Sequence, residues 1–343
     1  MKNLKLVFSS MLNILLALLV GMVVLLFISK EPSMTLKWFF LGPFTNFYFF
    51  GNMLAASIPL IFTGLAASVS FHANVFNLGL EGQYYFGAIV GTAIGLNVSK
   101  LGLFSIPFII LMSFSIGSLL FLPSVLLRLK FGFSELISSF MIGQIFIHVG
   151  DFFLNGPLRD PQAALSATKY LDETARLPKI LPPSNLHVGY VIGIGLCFLA
   201  HLLYKHAVIG YEFKMVRGNP RFANVSGMNV AKTLSMAAVF SGGLAAMGGM
   251  IDVLGVHGRV VRGFSHGNGF NGIAVSLLVK NNPSLIVLSA LFFAYMESGA
   301  EIASMMVQTP PEISKVIQGV VFCLVTAENV LLWRKKYDLD STA

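Results

Sequence analysis

Charge is scarce in this chain: 11% of its 343 residues are Asp, Glu, Lys or Arg, where water-soluble domains carry about 25%. An ordinary soluble enzyme is excluded. Cysteine is scarcer still, with only Cys197 and Cys323. Both sit in apolar runs without a CxxC or His neighbour, so neither a disulfide framework nor a metal site is expected, and each reads as a small packing residue. No Gly-Lys pair occurs anywhere, which removes the GxxxxGK[ST] phosphate loop, and with it ATP hydrolysis by this chain. The 33 glycines and 14 prolines follow no fixed period and 12% of residues are aromatic, which argues against fibrous or disordered chains. No cofactor is implied.

What the chain has in abundance is apolar surface. Hydrophobic residues make up 55% and the mean hydropathy is +0.78, more than one globular core hides. The fold expected is an all-α polytopic integral membrane protein, a single transmembrane domain over 1–343. Spans of about 20 residues fit near 8–28, 51–71, 76–97, 103–127, 134–153, 188–204, 234–253, 269–280, 284–306 and 313–333, or about ten in all. The 269–280 run is too short to cross alone and reads as a broken or re-entrant segment, of the kind tolerated where it is buried in protein or lines a cavity. Lys2 and Lys5 precede the first run, but Ser29-Lys30-Glu31-Pro32 offers no small-residue cleavage site, so that run is expected to remain as a span.

The net charge of +8 needs no nucleic acid to explain it, because basic residues in a membrane chain mark the loops that stay in the cytoplasm. Arg128, Lys130, the cluster Lys205, Lys214, Arg217, Arg221 and Lys232, then Lys280 and Arg334-Lys335-Lys336 fall on the side of Lys2 and Lys5. The expected topology is multi-pass with both termini cytoplasmic. Two loops are sizeable: an outer one at about 154–187 and an inner one at about 205–233. Neither has room for a nucleotide-binding domain.

Several polar groups interrupt the apolar runs. Phe76-Asn77-Leu78-Gly79-Leu80-Glu81-Gly82-Gln83 carries a carboxylate and two amides framed by glycines. Such a charge at membrane depth must face protein or water. Glu81 has two readings: accepting backbone N–H groups where a helix starts, or touching substrate. Gly87, Gly91 and Gly95 form a small-residue stripe suited to close helix packing. Glu297 and Glu301 share a helix face and read as partners of the Arg259 and Arg262 region, or as an ion relay. His148 and Asp151 share a face but are too isolated to name as a catalytic pair. Glu328 and Asn329 read as a snorkelling or capping site. Gly263-Phe264-Ser265-His266-Gly267 matches GxSxG, but that motif works on a strand-to-helix turn and no strand pattern flanks it; the glycines read as a tight bend, with His257, Arg259, Arg262 and His266 crowding the outer mouth. Phe62-Thr63-Gly64-Leu65-Ala66-Ala67 echoes Phe240-Ser241-Gly242-Gly243-Leu244-Ala245-Ala246, a pattern that fits two repeated halves with a path between them.

The block at Phe76–Gln83, preceded by Ile58-Pro59-Leu60-Ile61-Phe62-Thr63-Gly64-Leu65-Ala66, resembles the signature of permease subunits of bacterial ABC importers. The resemblance is to the nucleoside and simple-sugar branch of the branched-chain amino acid and ribose permease group. Three further blocks follow in that family's order: Asn219-Pro220 through Val230, Gly255 through Arg259, and Gly269-Phe270-Asn271-Gly272-Ile273-Ala274-Val275. The resemblance implies a non-catalytic transport subunit with an ABC ATPase subunit, a second permease (identical or different) and an extracytoplasmic substrate-binding protein as partners. It implies a nucleoside as cargo, with simple sugars or riboflavin as competitors. Ribosyl hydroxyls or a heterocycle need hydrogen-bonding groups along the path, for which Asn77, Glu81, Gln83, Asn268 and Asn271 are the candidates. In such families the place of Asn219, Pro220, Arg221, Phe222, Ala223, Ser226, Gly227 and Met228 holds a coupling helix that docks in the ATPase; Asn-Pro opens this short helix and Gly closes it. Arg221 and Phe222 depart from the acidic residue and alanine usual there. The rival from another class is an ion-coupled secondary transporter relying on Glu81, Glu297 and Glu301. A membrane hydrolase using Ser265 is more remote.

Overall fold

The computed structural model describes residues 31–98 and 104–307, together with Val316 and Gly319. Among these residues the regular elements are all helical, apart from two isolated bridges, Ala167 to Val261 and Lys179 to His187. We number the helices α1 Pro32–Leu41, α2 Phe47–His72, α3 Leu80–Val98, α4 Ser105–Phe131, α5 Glu135–Asn155, α6 Gly189–His206, α7 Val208–Gly218, α8 Pro220–Val225, α9 Val230–Asp252, α10 Asn268–Leu278 and α11 Ile286–Val307. Five helical stretches among the described residues are long and apolar enough to cross a membrane, or six if α6 and α7, bent by 72° at their junction, count as one. About ten spans is therefore more than the described residues carry. The expected spans at 8–28 and, but for two residues, 313–333 lie outside them.

Two expected spans change character. Residues 75–79 are extended, so α3 starts at Leu80 instead of Phe76. α10 has 11 residues and reaches only about 17 Å against a hydrocarbon core of about 30 Å, in keeping with a half-helix. α1 falls between the first two expected spans, where no helix is expected; Pro32 occupies its first turn, where the missing N–H costs nothing. α1 lies against α11, with the Phe39 backbone over Gly299.

α2 is the centre of the bundle. Asn46 starts it by accepting a 2.7 Å bond from Phe49 N, and its length is buried against α9, α10 and α11. α9 packs along α4 so tightly that Gly117 and Gly242 meet backbone to backbone. The glycine stripe on α3 faces protein: Gly87 lies on Ala246, Gly91 on Met250, and Gly95 on Leu171 and Ile109. Absent side chains let the backbones approach, the usual device for helix association in lipid. Ser113 Oγ lies 2.9 Å from both Gly87 O and Ala246 O, joining the three helices. By contrast α5 exposes Ile137, Phe140, Met141, Ile145 and Phe152, an apolar face suited to lipid.

At one end of the bundle the 156–188 segment folds over the end of α9. Its Leu177 N, Leu171 N and Thr168 N donate to the carbonyls of Leu254, Gly258 and Val260 at 2.8–2.9 Å. A π-helical turn at Val253–His257 supplies this irregular backbone.

Candidate functional site

The sequence singles out Asn77, Glu81, Gln83, Asn268 and Asn271, and the structure divides them. Asn77 and Gln83 are buried and face each other as a reciprocal amide pair: Asn77 Nδ2 donates to Gln83 Oε1 at 2.8 Å, and Gln83 Nε2 donates to Asn77 Oδ1 at 3.0 Å. Asn77 Nδ2 also reaches Ser241 Oγ on α9 at 2.9 Å, while its Oδ1 accepts from Gly79 N at 3.0 Å. This network fixes the extended link between α2 and α3. Beyond these bonds Gln83 keeps one amide N–H and one oxygen lone pair.

Glu81 is in the first turn of α3, and its Oε2 accepts a 2.7 Å bond from Gly269 N, in the first turn of α10. Two helix N-termini, each with partial positive charge, converge on one buried carboxylate. Gly269 is required for this approach, since a Cβ there would collide with the Glu81 backbone. Gly79 and Gly82 are likewise pressed against the backbones of Ser139 and Gly143 on α5. Thr63 Oγ1 lies 3.0 Å from Asn268 O, tying the same joint to α2. The repeat-like segments Phe62–Ala67 and Phe240–Ala246 fall in α2 and α9. The helices that follow each break, α3 and α10, are the two that meet at Glu81.

Asn268 and Asn271 line open space, but in different places. Asn271 borders a cleft of about 560 Å³ with Leu78, Phe140, Phe270 and Phe293. Asn268 borders a cleft of about 290 Å³ with Asn52, Asn185, Asp252, His257, Phe264, His266, Glu297 and Glu301. Asp252, which the sequence reading missed, organises this second cleft: Tyr84 Oη donates to its Oδ2 at 2.6 Å, and His257 Nε2 lies 3.7 Å away. Phe264 stacks on Tyr84 and Tyr85 with centroids 5.7 and 5.6 Å apart. The only local signal for Asp252 is a carboxylate closing an apolar run, which a topology reading passes over.

The basic residues at this end of the bundle have specific partners. Arg262 Nε binds Asp151 Oδ2 at 3.0 Å, and Tyr85 Oη donates to Asp151 Oδ1 at 2.6 Å. Arg259 lies 4.3 Å over the Tyr170 ring. Arg262 thus takes Asp151 in place of the expected Glu297 or Glu301, which line the cleft. Asp151 is committed to Tyr85 and Arg262, while His148 on its helix is exposed. His187, in the 156–188 segment, is buried; its Nδ1 accepts from Gly189 N at 3.2 Å, and burial pushes the imidazole down to about 4, keeping it neutral. Gly263–Gly267 forms successive turns, with φ of 76°, 48° and 87° at Gly263, His266 and Gly267, running directly into α10. Ser265 is buried in these turns, not raised on a strand-to-helix elbow.

At the opposite end of α9, α8 is a single short helix. Asn219 Oδ1 accepts from Phe222 N at 3.0 Å, and Pro220 holds the first position. Its exit is a Schellman motif: Met228 N donates to Ala223 O at 3.0 Å, and Gly227 N to Asn224 O at 3.1 Å. Gly227 takes φ +83°, as this motif requires. Ala223 is buried, while Arg221, Phe222, Ser226 and Val225 face outward, Val225 being 88% exposed. Asn229 caps the next helix by accepting from Lys232 N at 3.0 Å.

Comparison with known proteins gives these features a context. The family model for the branched-chain amino acid transport system / permease component matches residues 49–326. A glucose ABC transporter permease of Haloferax volcanii is 26% identical, over 92% of this chain and 86% of that one. A nucleoside ABC transporter permease of Lactococcus lactis is 26% identical, over 91% and 88%. A guanosine ABC transporter permease of Bacillus subtilis is 26% identical, over 84% of each chain.

Proposed function

Because the chain belongs to the branched-chain amino acid transport system / permease component family, we propose that this ABC transporter permease carries a nucleoside. The family carries the permease assignment and an ATPase partner. The nucleoside reading rests first on the full-length similarity to nucleoside and guanosine permeases. The observation that supports it in this chain is the 290 Å³ cleft, where Asn52, Asn185, Asp252 and Asn268 supply hydrogen-bonding groups beside the Phe264 ring. Ribosyl hydroxyls and a heterocycle need such a mixture: a few placed polar groups against an aromatic wall.

The remaining parts of the proposal follow from charge and shape. The basic end of the molecule with α8 faces the cytoplasm of an inner membrane, as do both termini, and the 156–188 segment faces outward. α8 docks in the ATPase, a second permease copy or paralogue completes the path, and an extracytoplasmic binding protein delivers cargo to the cleft. The similarity to a glucose permease makes a simple sugar the second reading.

Reconstitution in liposomes with the partner ATPase and binding protein, loaded with ATP, tests the assignment. Labelled guanosine or another nucleoside should accumulate, excess unlabelled nucleoside should compete, and glucose and riboflavin should not. Uptake of glucose or riboflavin alone overturns the cargo. Uptake by the isolated chain driven by an ion gradient, without ATPase, overturns the coupling mode.

A further inference from the structure

Away from the cleft and from α8, a third hollow of about 310 Å³ lies between the ends of α2 and α6 and the turn from α10 to α11. His72, His201, Tyr204, Lys205, Lys280 and Asn281 line it, and among the described residues that line it none is Asp or Glu. The His72 ring stacks on Tyr204 at 4.3 Å, with Nδ1 donating to Ser68 O at 3.0 Å. Tyr204 Oη is buried and finds no hydrogen-bond partner among the described residues. A buried hydroxyl without a partner is costly, and the Tyr204 side chain lines a hollow whose charged residues, among those described, are basic.

The backbone of the hollow is also unusual. Lys280 and Asn281 are consecutive non-glycine residues with φ +53° and +61°, a region that side chains rarely adopt. Three contacts hold them there: Asn281 N donates to Ser276 O at 2.8 Å, Ser276 Oγ to Asn281 Oδ1 at 2.9 Å, and Ser68 Oγ to Asn281 O at 2.7 Å. Strained backbone that surrounding bonds over-determine is a feature of ligand clamps.

We propose that this hollow binds a phosphate oxyanion, presented by the headgroup of an acidic phospholipid. Lys205 and Lys280 supply positive charge, and Tyr204 Oη, buried and without a hydrogen-bond partner among the described residues, supplies a donor. The lipid, and not free phosphate, is the source because α6 carries exposed Phe198, Leu199, Leu202 and Leu203 around His201 and Lys205. Acyl chains lie along these side chains while the headgroup enters between the basic groups. Basic pockets between membrane helices have the chemistry for anionic headgroups. The site stands at the foot of α6, where the chain bends 72° into α7, so an occupied hollow braces the segment that leads to α8.

The purified full chain, in micelles doped with equal phosphatidylglycerol and phosphatidylcholine, tests this by native mass spectrometry of retained lipid. Phosphatidylglycerol should be retained selectively. Lys205→Gln should reduce that retention about fivefold and Lys205→Gln with Lys280→Gln further, following the effect of each basic group near an anionic headgroup. Tyr204→Phe, which keeps the ring stack, should also weaken retention, while Arg159→Gln in the outer loop should leave it unchanged. Equal retention by wild type, Lys205→Gln and Tyr204→Phe overturns the site. Should the double variant fail to fold, these single variants decide. Displacement of phosphatidylglycerol by low-millimolar inorganic phosphate overturns the lipid as the source and assigns the hollow to a free anion.

Discussion

Glu81 shows how a residue legible as unusual takes its role from a partner that is not legible. Its chemistry can be read from the sequence, since a carboxylate in an apolar region must meet protein or water. Its partner, Gly269 N, is 188 residues away, and no local pattern announces that pairing. The two readings of Glu81 separate cleanly by substitution. Glu81→Gln keeps an acceptor for Gly269 N and loses only the charge facing two helix N-termini, so stability should fall by about 0.3–1 kcal/mol. Glu81→Ala leaves a buried N–H without a partner and should lose about 1–3 kcal/mol, and Gly269→Ala should be comparably harmful by overpacking. Thermal unfolding in detergent reads these losses. If Glu81→Gln instead unfolds like wild type but abolishes uptake in assembled complex, the carboxylate acts on cargo and the joint is secondary. Asp252 and Asp151 repeat the lesson: their bonds to Tyr84 and Tyr85 span 168 and 66 positions, beyond any window of hydropathy.

At the scale of elements, legibility follows the solvent. Where lipid surrounds the chain every backbone group must be satisfied internally, so long apolar runs become helices and α2, α4, α5, α9 and α11 fall close to their expected places. Where the chain leaves lipid the constraint lapses, and α1, α7 and the extended start of the Phe76 block escaped notice. α8 is the exception, because its signals are local: an Asn cap, Pro in the first turn and Gly in the left-handed exit. Those same signals give its test. Gly227→Pro cannot adopt φ +83° and removes the N–H bonded to Asn224 O, so it should dismantle the Schellman exit. Arg221→Glu leaves that backbone intact and alters only the outward face. Both should insert normally yet lose cargo-stimulated ATP hydrolysis and uptake together, by roughly tenfold or more if docking contacts resemble buried charged hydrogen bonds. Wild-type hydrolysis and uptake in both variants would reduce α8 to a topology signal and strengthen the ion-coupled alternative.

The whole molecule has two unlike ends, and helix geometry separates them. α6 has 18 residues and α9 has 23, or about 27 and 35 Å of rise, close to the thickness of a hydrocarbon core of about 30 Å. Both helices have one end at the basic segment carrying α7 and α8. The opposite end of α9 lies beneath the 156–188 segment, bonded to it through Leu254, Gly258 and Val260, and the opposite end of α6 follows that segment directly. Tyr170 and Asn219, both exposed, are therefore expected on opposite faces of the bilayer. The proposed orientation puts that face in the cytoplasm, because Lys and Arg are in excess beside Asn219. In a background with Cys197 and Cys323 replaced by Ala, a membrane-impermeant maleimide should label Tyr170→Cys in outer-membrane-permeabilised cells. It should reach Asn219→Cys only after the inner membrane is opened. The reverse pattern would invert the molecule, turning α8 away from any cytoplasmic ATPase and the Asp252 cleft away from a delivered cargo. Labelling of both positions in closed cells would mean that α6 and α9 do not cross the bilayer.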